Sequence, residues 1–180
     1  MINNKTNKVN IAILGLGTVG SGTYDILTGQ HDALQRHHGV DICVAKVLDK
    51  SKTALIKKGI AKNVTCDCIE DIVNDSSISI VVETMGGISP AKDYIIKILS
   101  CGKSVVTANK ELLAKHGAEL EQAAKLSGSS IYFEAAVAGG IPIIKVLQEG
   151  MQANNLQRAI GIVNGTTNYI LSAMAQDNVS

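Results

Sequence analysis

Apolar positions along this chain follow two rhythms. Short, nearly unbroken apolar runs occupy residues 9–14, 40–48, 78–83, 103–106 and 130–133. Each is too short for a helix of ordinary length and carries Val or Ile, and polar or glycine residues flank it, so each reads as a strand. Between them lie stretches with helical spacing. Val19, Tyr24, Ile26, Leu27 and Leu34 give an apolar side to one helix running towards His37, with a weaker match near Gly22 and Gly29. Residues 69–73 suggest a short helix, Pro90 opens another to about Leu99, and residues 111–126 make a longer one. Gly39, Gly102 and Gly128 punctuate this order. Residues 60–65 are ambiguous, with a short strand expected near Val64.

Buried strands alternating with helices predict an α/β chain: a Rossmann-like parallel sheet with helices on both faces. The rhythm changes after Glu134. Residues 135–142 are small and weakly patterned, and read as a close-packed loop feeding a helix with Pro142 in its first turn and its end near Gly150. A strand over 156–163, a polar turn over 164–168 and a helix over 169–175 would then begin another body. The expected division is a dinucleotide-binding domain over 1–150 and the beginning of an incomplete catalytic and dimerisation domain over 151–180. So little second-domain structure cannot cover both faces of a sheet, so the chain is expected to be a truncated N-terminal portion.

Composition narrows the function. Seventeen Lys and Arg stand against 16 Asp and Glu, a formal net charge of +1, which gives no support to a nucleic-acid partner. No apolar run reaches the length of a membrane span, and the polar start, residues 1–8, lacks the apolar segment of a secretory signal. Cys43 and Cys101 read as small buried hydrophobes, and Cys66 and Cys68 form a C-x-C pair with too few neighbouring ligands for zinc. A chain of this kind without a disulfide framework fits the reducing cytoplasm. His31, His37 and His38 read as solvated residues at a helix end, and His116 has no obvious partner.

The chemistry gathers where strands end. Gly15-Leu16-Gly17-Thr18-Val19-Gly20 is G-x-G-x-x-G placed directly after a strand and before a helix. In this reading Gly15 allows the tight turn, Gly17 lets a pyrophosphate approach the backbone, and Gly20 lets the helix pack closely on the strand. The phosphates would lie on the free N–H groups of the helix N-terminus. Asp49 follows the second strand as a ribose-binding carboxylate should, although later than the usual ~20 residues. Lys50 beside it would attract a 2′-phosphate that Asp49 would repel, so NAD and NADP both stay open. Met85, Gly86 and Gly87 follow the third long strand, with Glu83 a weaker contact candidate, and Thr107 and Lys110 follow the next. Lys110 is the most chemical of these residues, able to orient a carboxylate or move a proton.

Three longer stretches carry a family resemblance: Val105-Val106-Thr107-Ala108-Asn109-Lys110, the run from Phe133 to Pro142, and the run from Gly161 to Leu171. With the glycine turn, they resemble the N-terminal part of homoserine dehydrogenase over nearly the whole chain. The resemblance implies hydride transfer between a nicotinamide cofactor and the aspartate semialdehyde/homoserine pair, a step toward threonine and methionine. It implies a catalytic role for Lys110 near nicotinamide and substrate, and a cofactor- and substrate-side turn at Gly165 and Thr166. It also implies a sodium ion held by backbone carbonyls of Glu134, Val137, Gly139 and Ile141. The family's substrate-binding acidic residues, its principal catalytic lysine and most of its homo-oligomer interface would follow Ser180. Two other readings remain open: a dinucleotide-binding module without chemistry, and a fragment that folds only under a covering partner.

Overall fold

The structure, a computed structural model, describes residues 7–162 and 164–177. It divides into two compact units, one running to Phe133 and the other starting at Glu134, ahead of the break expected after residue 150.

The first unit is a six-stranded sheet. Its strands are β1 (Asn7–Leu14), β2 (Val40–Leu48), β3 (Thr65–Cys66), β4 (Ile78–Glu83), β5 (Ser104–Thr107) and β6 (Ile131–Tyr132). Their order is β3-β2-β1-β4-β5-β6, and every adjacent pair is parallel. The chain builds outward from β1 on one side, then returns to β1's other edge with β4. That reversal is the switch point where an open parallel sheet leaves a crevice at its carboxyl end.

Side chains on successive β1 residues point to opposite faces, and two separate cores result. Ala12 and Leu14 join Val81, Val105, Ile95, Leu99, Leu112 and Leu120 on one face. Those last four come from α5 (Ala91–Ser100) and α6 (Lys110–Ser127). Ile13 joins Val47, Leu16 and Leu55 on the other face, with Tyr24 and Leu27 of α1 (Thr18–Gly29) packed against them. Each wholly buried Ile or Leu contributes about 1.5–3 kcal/mol, and this two-sided burial explains why the strands read as unbroken apolar runs.

The single helix expected towards His37 is two. α1 closes at Gly29, Gln30 leaves helical geometry at φ −109° and ψ 18°, and α2 (His31–His38) follows. Gly22 and Gly29 had already weakened the helical periodicity of this stretch. Gly39 ends α2, its N–H bonded to Gln35 O. α3 (Lys52–Lys57) was not expected; Ser51 starts it by accepting a bond from Ala54 N at 3.2 Å. The short α4 (Glu70–Val73) agrees with the pattern.

Cys66 is buried, and burial pushes its thiol up to about 11. Cys101 is exposed, contrary to its reading as a small buried hydrophobe, as is Cys68. A thiol reagent at about pH 8 is expected to modify Cys68 and Cys101 in the native chain and Cys66 only after unfolding; mass-mapped labelling checks this.

In the second unit a 3-10 turn covers Glu134–Ala136 and a π-helical turn covers Val146–Gly150. Helical geometry begins at Ile144, so Pro142 stands ahead of it rather than in its first turn. α7 (Gly165–Asp177) starts earlier than the expected 169, because Asn164 Oδ1 accepts from Thr167 N at 2.8 Å and caps the first turn. The strand expected over 156–163 is not formed by its described residues, 156–162, which are exposed; Val163 lies outside the described residues. A strand exists by pairing, and an apolar run without a neighbouring ladder has no partner for its backbone.

Candidate functional site

β1 ends where two backbones meet. Gly15 has φ +91°, and its N–H donates to Leu48 O at 2.8 Å, carrying the turn across to β2. A Cβ on Gly15 would stand 3.0 Å from the backbone of Thr84 and Met85, and one on Gly20 would stand 2.0 Å from Gly15 O. Gly20 is therefore the point where α1 lies directly on the turn, as its place in the sequence pattern required. Thr84 Oγ1 reinforces the junction, 3.0 Å from Leu14 O and 2.9 Å from Gly15 O, its hydroxyl shared between them.

Gly17 differs from both. A Cβ there would meet nothing within 4 Å, so the chain itself does not require glycine at this position. It precedes Thr18, the first residue of α1, with no side chain capping the helix. The open backbone and free N–H groups suit an anionic group. Thr18 and Val19 are exposed at this helix start. Leu16 turns its side chain into the core, while its N–H donates to Asp49 Oδ2 at 2.6 Å.

Asp49 is accordingly fixed at both oxygens, because Oδ1 accepts from Ser51 N at 2.7 Å. The carboxylate ties the glycine turn to the start of α3. Each oxygen keeps a lone pair for an incoming hydroxyl. Lys50 beside it is exposed. These residues line a cleft of about 440 Å³ with Gly15, Gly17, Met85 and Gly86, within the usual size of small-molecule sites. Asp67, Ser89, Pro90 and Tyr94 line it too; their strand-end and helix-start positions were the signal, but they were not singled out from sequence.

Behind the cleft lies a buried polar network. Glu83 is 0% exposed. Its Oε1 accepts from Met85 N at 2.8 Å, and its Oε2 accepts from Thr107 Oγ1 at 2.6 Å. Thr107 Oγ1 in turn accepts from Asn109 N at 3.0 Å, and Asn109 Nδ2 donates to Gly87 O at 2.6 Å. Asn109 Oδ1 caps α6 through Leu112 N. Thr107 is thus wholly buried with its hydroxyl engaged, and Glu83 holds amides of the next turn. Lys110 emerges exposed from this network at the first position of α6. Gly87, Thr107 and Lys110 stand at the neighbouring strand ends and not in the cleft lining. His116, read as lacking a partner, meets Glu119 at 3.2 Å on the helix surface.

The remaining candidates belong to the second unit. Gly165 and Thr166 form the exposed first turn of α7. Glu134 places its carboxylate on two amides, Ile144 N at 2.9 Å and Lys145 N at 2.7 Å. Ala138 and Gly139 both have positive φ, 54° and 62°, which curls the loop. Within it the carbonyls of Glu134 and Ile141 accept from Val137 N at 3.2 Å and Ile143 N at 2.9 Å. Carbonyl oxygens of this kind have a second lone pair, and an all-oxygen set suits a hard cation better than a transition metal.

A parallel sheet with a glycine turn at its switch point, an open helix N-terminus and a strand-end carboxylate defines an α/β domain of the dinucleotide-binding class. The family model described as "Homoserine dehydrogenase, NAD binding domain" matches residues 15–134, and that described as "Homoserine dehydrogenase" matches residues 142–180. The chain belongs to the homoserine dehydrogenase family. Over 94% of its length it is 41% identical to the homoserine dehydrogenase of Bacillus subtilis and 44% identical to that of Lactococcus lactis, covering 39% and 40% of those proteins. The crystal structure of a homoserine dehydrogenase from Thiobacillus denitrificans superposes with a TM-score of 0.84 at 41% identity, over 94% of this chain and 39% of that one. A hyperthermophilic archaeal homoserine dehydrogenase in complex with NADPH superposes with a TM-score of 0.77 at 30% identity, over 94% of this chain and 57% of that one. The chain thus spans about two fifths of the length of the curated relatives it matches.

Proposed function

We propose that this chain forms the NAD(P)-binding portion of an oxidoreductase that moves a hydride between the nicotinamide and the aspartate semialdehyde/homoserine pair, on the route to threonine and methionine. The observation that carries the proposal is Gly17, bare where the fold does not need it to be, at the mouth of the switch-point cleft. In this reading the N–H groups from Gly17 to Val19 receive the pyrophosphate, with Gly15 and Gly20 shaping the turn. Asp49 and Lys50 face the adenosine ribose, and Met85, Gly86 and Gly87 border the dinucleotide. Bound there, the nicotinamide supplies the hydride.

The protein's part is placement and charge. Lys110 holds or relays the proton that reaches the substrate oxygen in the reductive direction. Thr107 sets Lys110's position through Asn109. Gly165 and Thr166 are assigned to the cofactor- and substrate-side turn. The carbonyls of Glu134, Val137, Gly139 and Ile141 are assigned to a sodium ion that stiffens the loop. The second unit would open the catalytic and dimerisation region, and the whole protein would act in the cytoplasm as a homo-oligomer on a small-molecule substrate.

The test is an assay of homoserine oxidation with NAD and NADP, using this sequence extended to the length of its relatives. Turnover is expected, and Lys110→Ala is expected to lower kcat about a hundredfold with little change in dinucleotide affinity. Wild-type turnover in Lys110→Ala would remove the residue from the mechanism. Cofactor binding without any homoserine turnover would leave a binding module instead.

A further inference from the structure

Far from the cleft, at the amino end of the sheet, α2 and β2 bring together three side chains that the proposed reaction does not use. Asp41 and Cys43 are two apart on β2 and share one face, and His31, the first residue of α2, lies against them. His31 Nε2 is 2.7 Å from Asp41 Oδ1, and Cys43 Sγ donates to the same oxygen at 3.3 Å. The three potential ligand atoms all lie within 4.8 Å of one another. From sequence, His31 read as solvated and Cys43 as a small hydrophobe; β2 pairing and the break at Gln30 make them neighbours.

We propose that His31, Asp41 and Cys43 form a binding site for a zinc-class divalent cation, with the fourth position left to water. Tetrahedral zinc at ordinary N, O and S bond lengths separates its ligand atoms by roughly 3.4–3.6 Å. The distances present here straddle that range, so entry of the ion requires small side-chain adjustments rather than movement of an element. A second feature points the same way. His31 Nδ1 lies 3.2 Å from Asp32 Oδ1, which places a carboxylate on the ring nitrogen opposite Nε2. A metal-bound histidine usually donates its other N–H to such a group, which fixes the tautomer and aims the ring.

The donor set selects the ion. A thiolate and an imidazole favour zinc-like metals over magnesium or calcium. On binding, Cys43 releases its thiol proton to water and forms the S–metal bond, while neutral His31 gives its Nε2 lone pair; no electron is transferred. Thiolate and carboxylate then balance the dication. Lys8 stands beside Asp41 in the β1–β2 register and opposes the ion, which the two anionic ligands outweigh. A recess beside His31 is lined by Gln30, Asp32 and Arg36, so the ring borders solvent on the α2 side. The bound ion would pin the first turn of α2 to the sheet.

The proposal is tested on the 180-residue chain, free of any polyhistidine tag, titrated with Co²⁺ and then Zn²⁺. A single saturable equivalent of cobalt is expected to give a thiolate-to-cobalt charge-transfer band, which zinc abolishes. Cys43→Ser is expected to remove the band and Cys68→Ser to leave it. His31→Ala and Asp32→Asn are expected to weaken binding by about tenfold or more. No band in the wild-type chain, or a band that survives Cys43→Ser, overturns the site. A far-UV circular dichroism spectrum of Cys43→Ser matching the wild type separates loss of the site from loss of the fold, and a band retained in Cys68→Ser but lost in a folded Cys43→Ser assigns the thiolate.

Discussion

Gly20→Ala is expected to destabilise the first unit by about 3 kcal/mol and to abolish dinucleotide binding with it. The new methyl group would stand 2.0 Å from Gly15 O and 2.6 Å from Thr84 Oγ1. Neither atom can yield cheaply. Gly15 is held by its bond to Leu48 O, and Thr84 by its contacts with Leu14 O and Gly15 O. The remaining escape is for α1 to lift from the end of β1, which uncovers Tyr24 and Leu27 and distorts the turn that receives phosphate. Gly22→Ala is the matched control. Gly22 lies in the same helix with nothing within 4 Å of its would-be Cβ, so the change should stabilise by about 0.5–1 kcal/mol through the unfolded chain. Urea unfolding of both variants tests the pair, and equal midpoints would contradict the close contact.

Glu83→Ala should cost about 3 kcal/mol, by a different cause. It removes the acceptor of the half-buried Met85 N and of the wholly buried Thr107 hydroxyl. Each buried donor left unsatisfied costs ~1–3 kcal/mol. Glu83→Gln keeps the shape and one acceptor oxygen. Its NH₂ must then face either Met85 N–H or the Thr107 hydroxyl, so it should lose about half as much. Faster hydrogen exchange at Met85 N in both variants would locate the damage. A urea midpoint equal to wild type in Glu83→Ala would show that the carboxyl does not organise the loops after β4 and β5.

These two residues also mark how far sequence could reach. Gly20 was legible because the glycine pattern, the strand before it and the helix after it all lie within one local stretch. β2 and β4 were legible to their last residues, since Gly39 and Asp49 bracket one apolar run and the other stops at Glu83. Glu83's role was not legible. Its partner Thr107, which in turn accepts from Asn109 N, becomes a neighbour only because β5 lies beside β4, a fact of sheet order. The same holds for His31 and Asp41, which meet because α2 breaks from α1.

Errors in the other direction have the same root. Residues 156–162 carry a strand's composition, and composition cannot supply the neighbour a strand needs. Glu134 was read only for its carbonyl, and that its carboxylate also accepts from Ile144 N and Lys145 N was not legible. That contact required knowing that the loop doubles back within ten residues. α3 was missed because its only start signal is Ser51, a single capping hydroxyl in a polar stretch.

The central claim is that the backbone at Gly17 is bare for a ligand and not for the fold. Gly17 sits at φ −65° and ψ −166°, which other residues adopt, and its would-be Cβ meets open space. Calorimetric titration of NADH and NADPH into the wild-type chain and Gly17→Val, paired with urea unfolding of both, measures this directly. The expected result is saturable binding by the wild type and affinity at least about tenfold weaker in Gly17→Val, a loss of ~1.4 kcal/mol, with the unfolding midpoint unchanged. Undiminished affinity in Gly17→Val, or no binding of either dinucleotide to the wild-type chain, would contradict it.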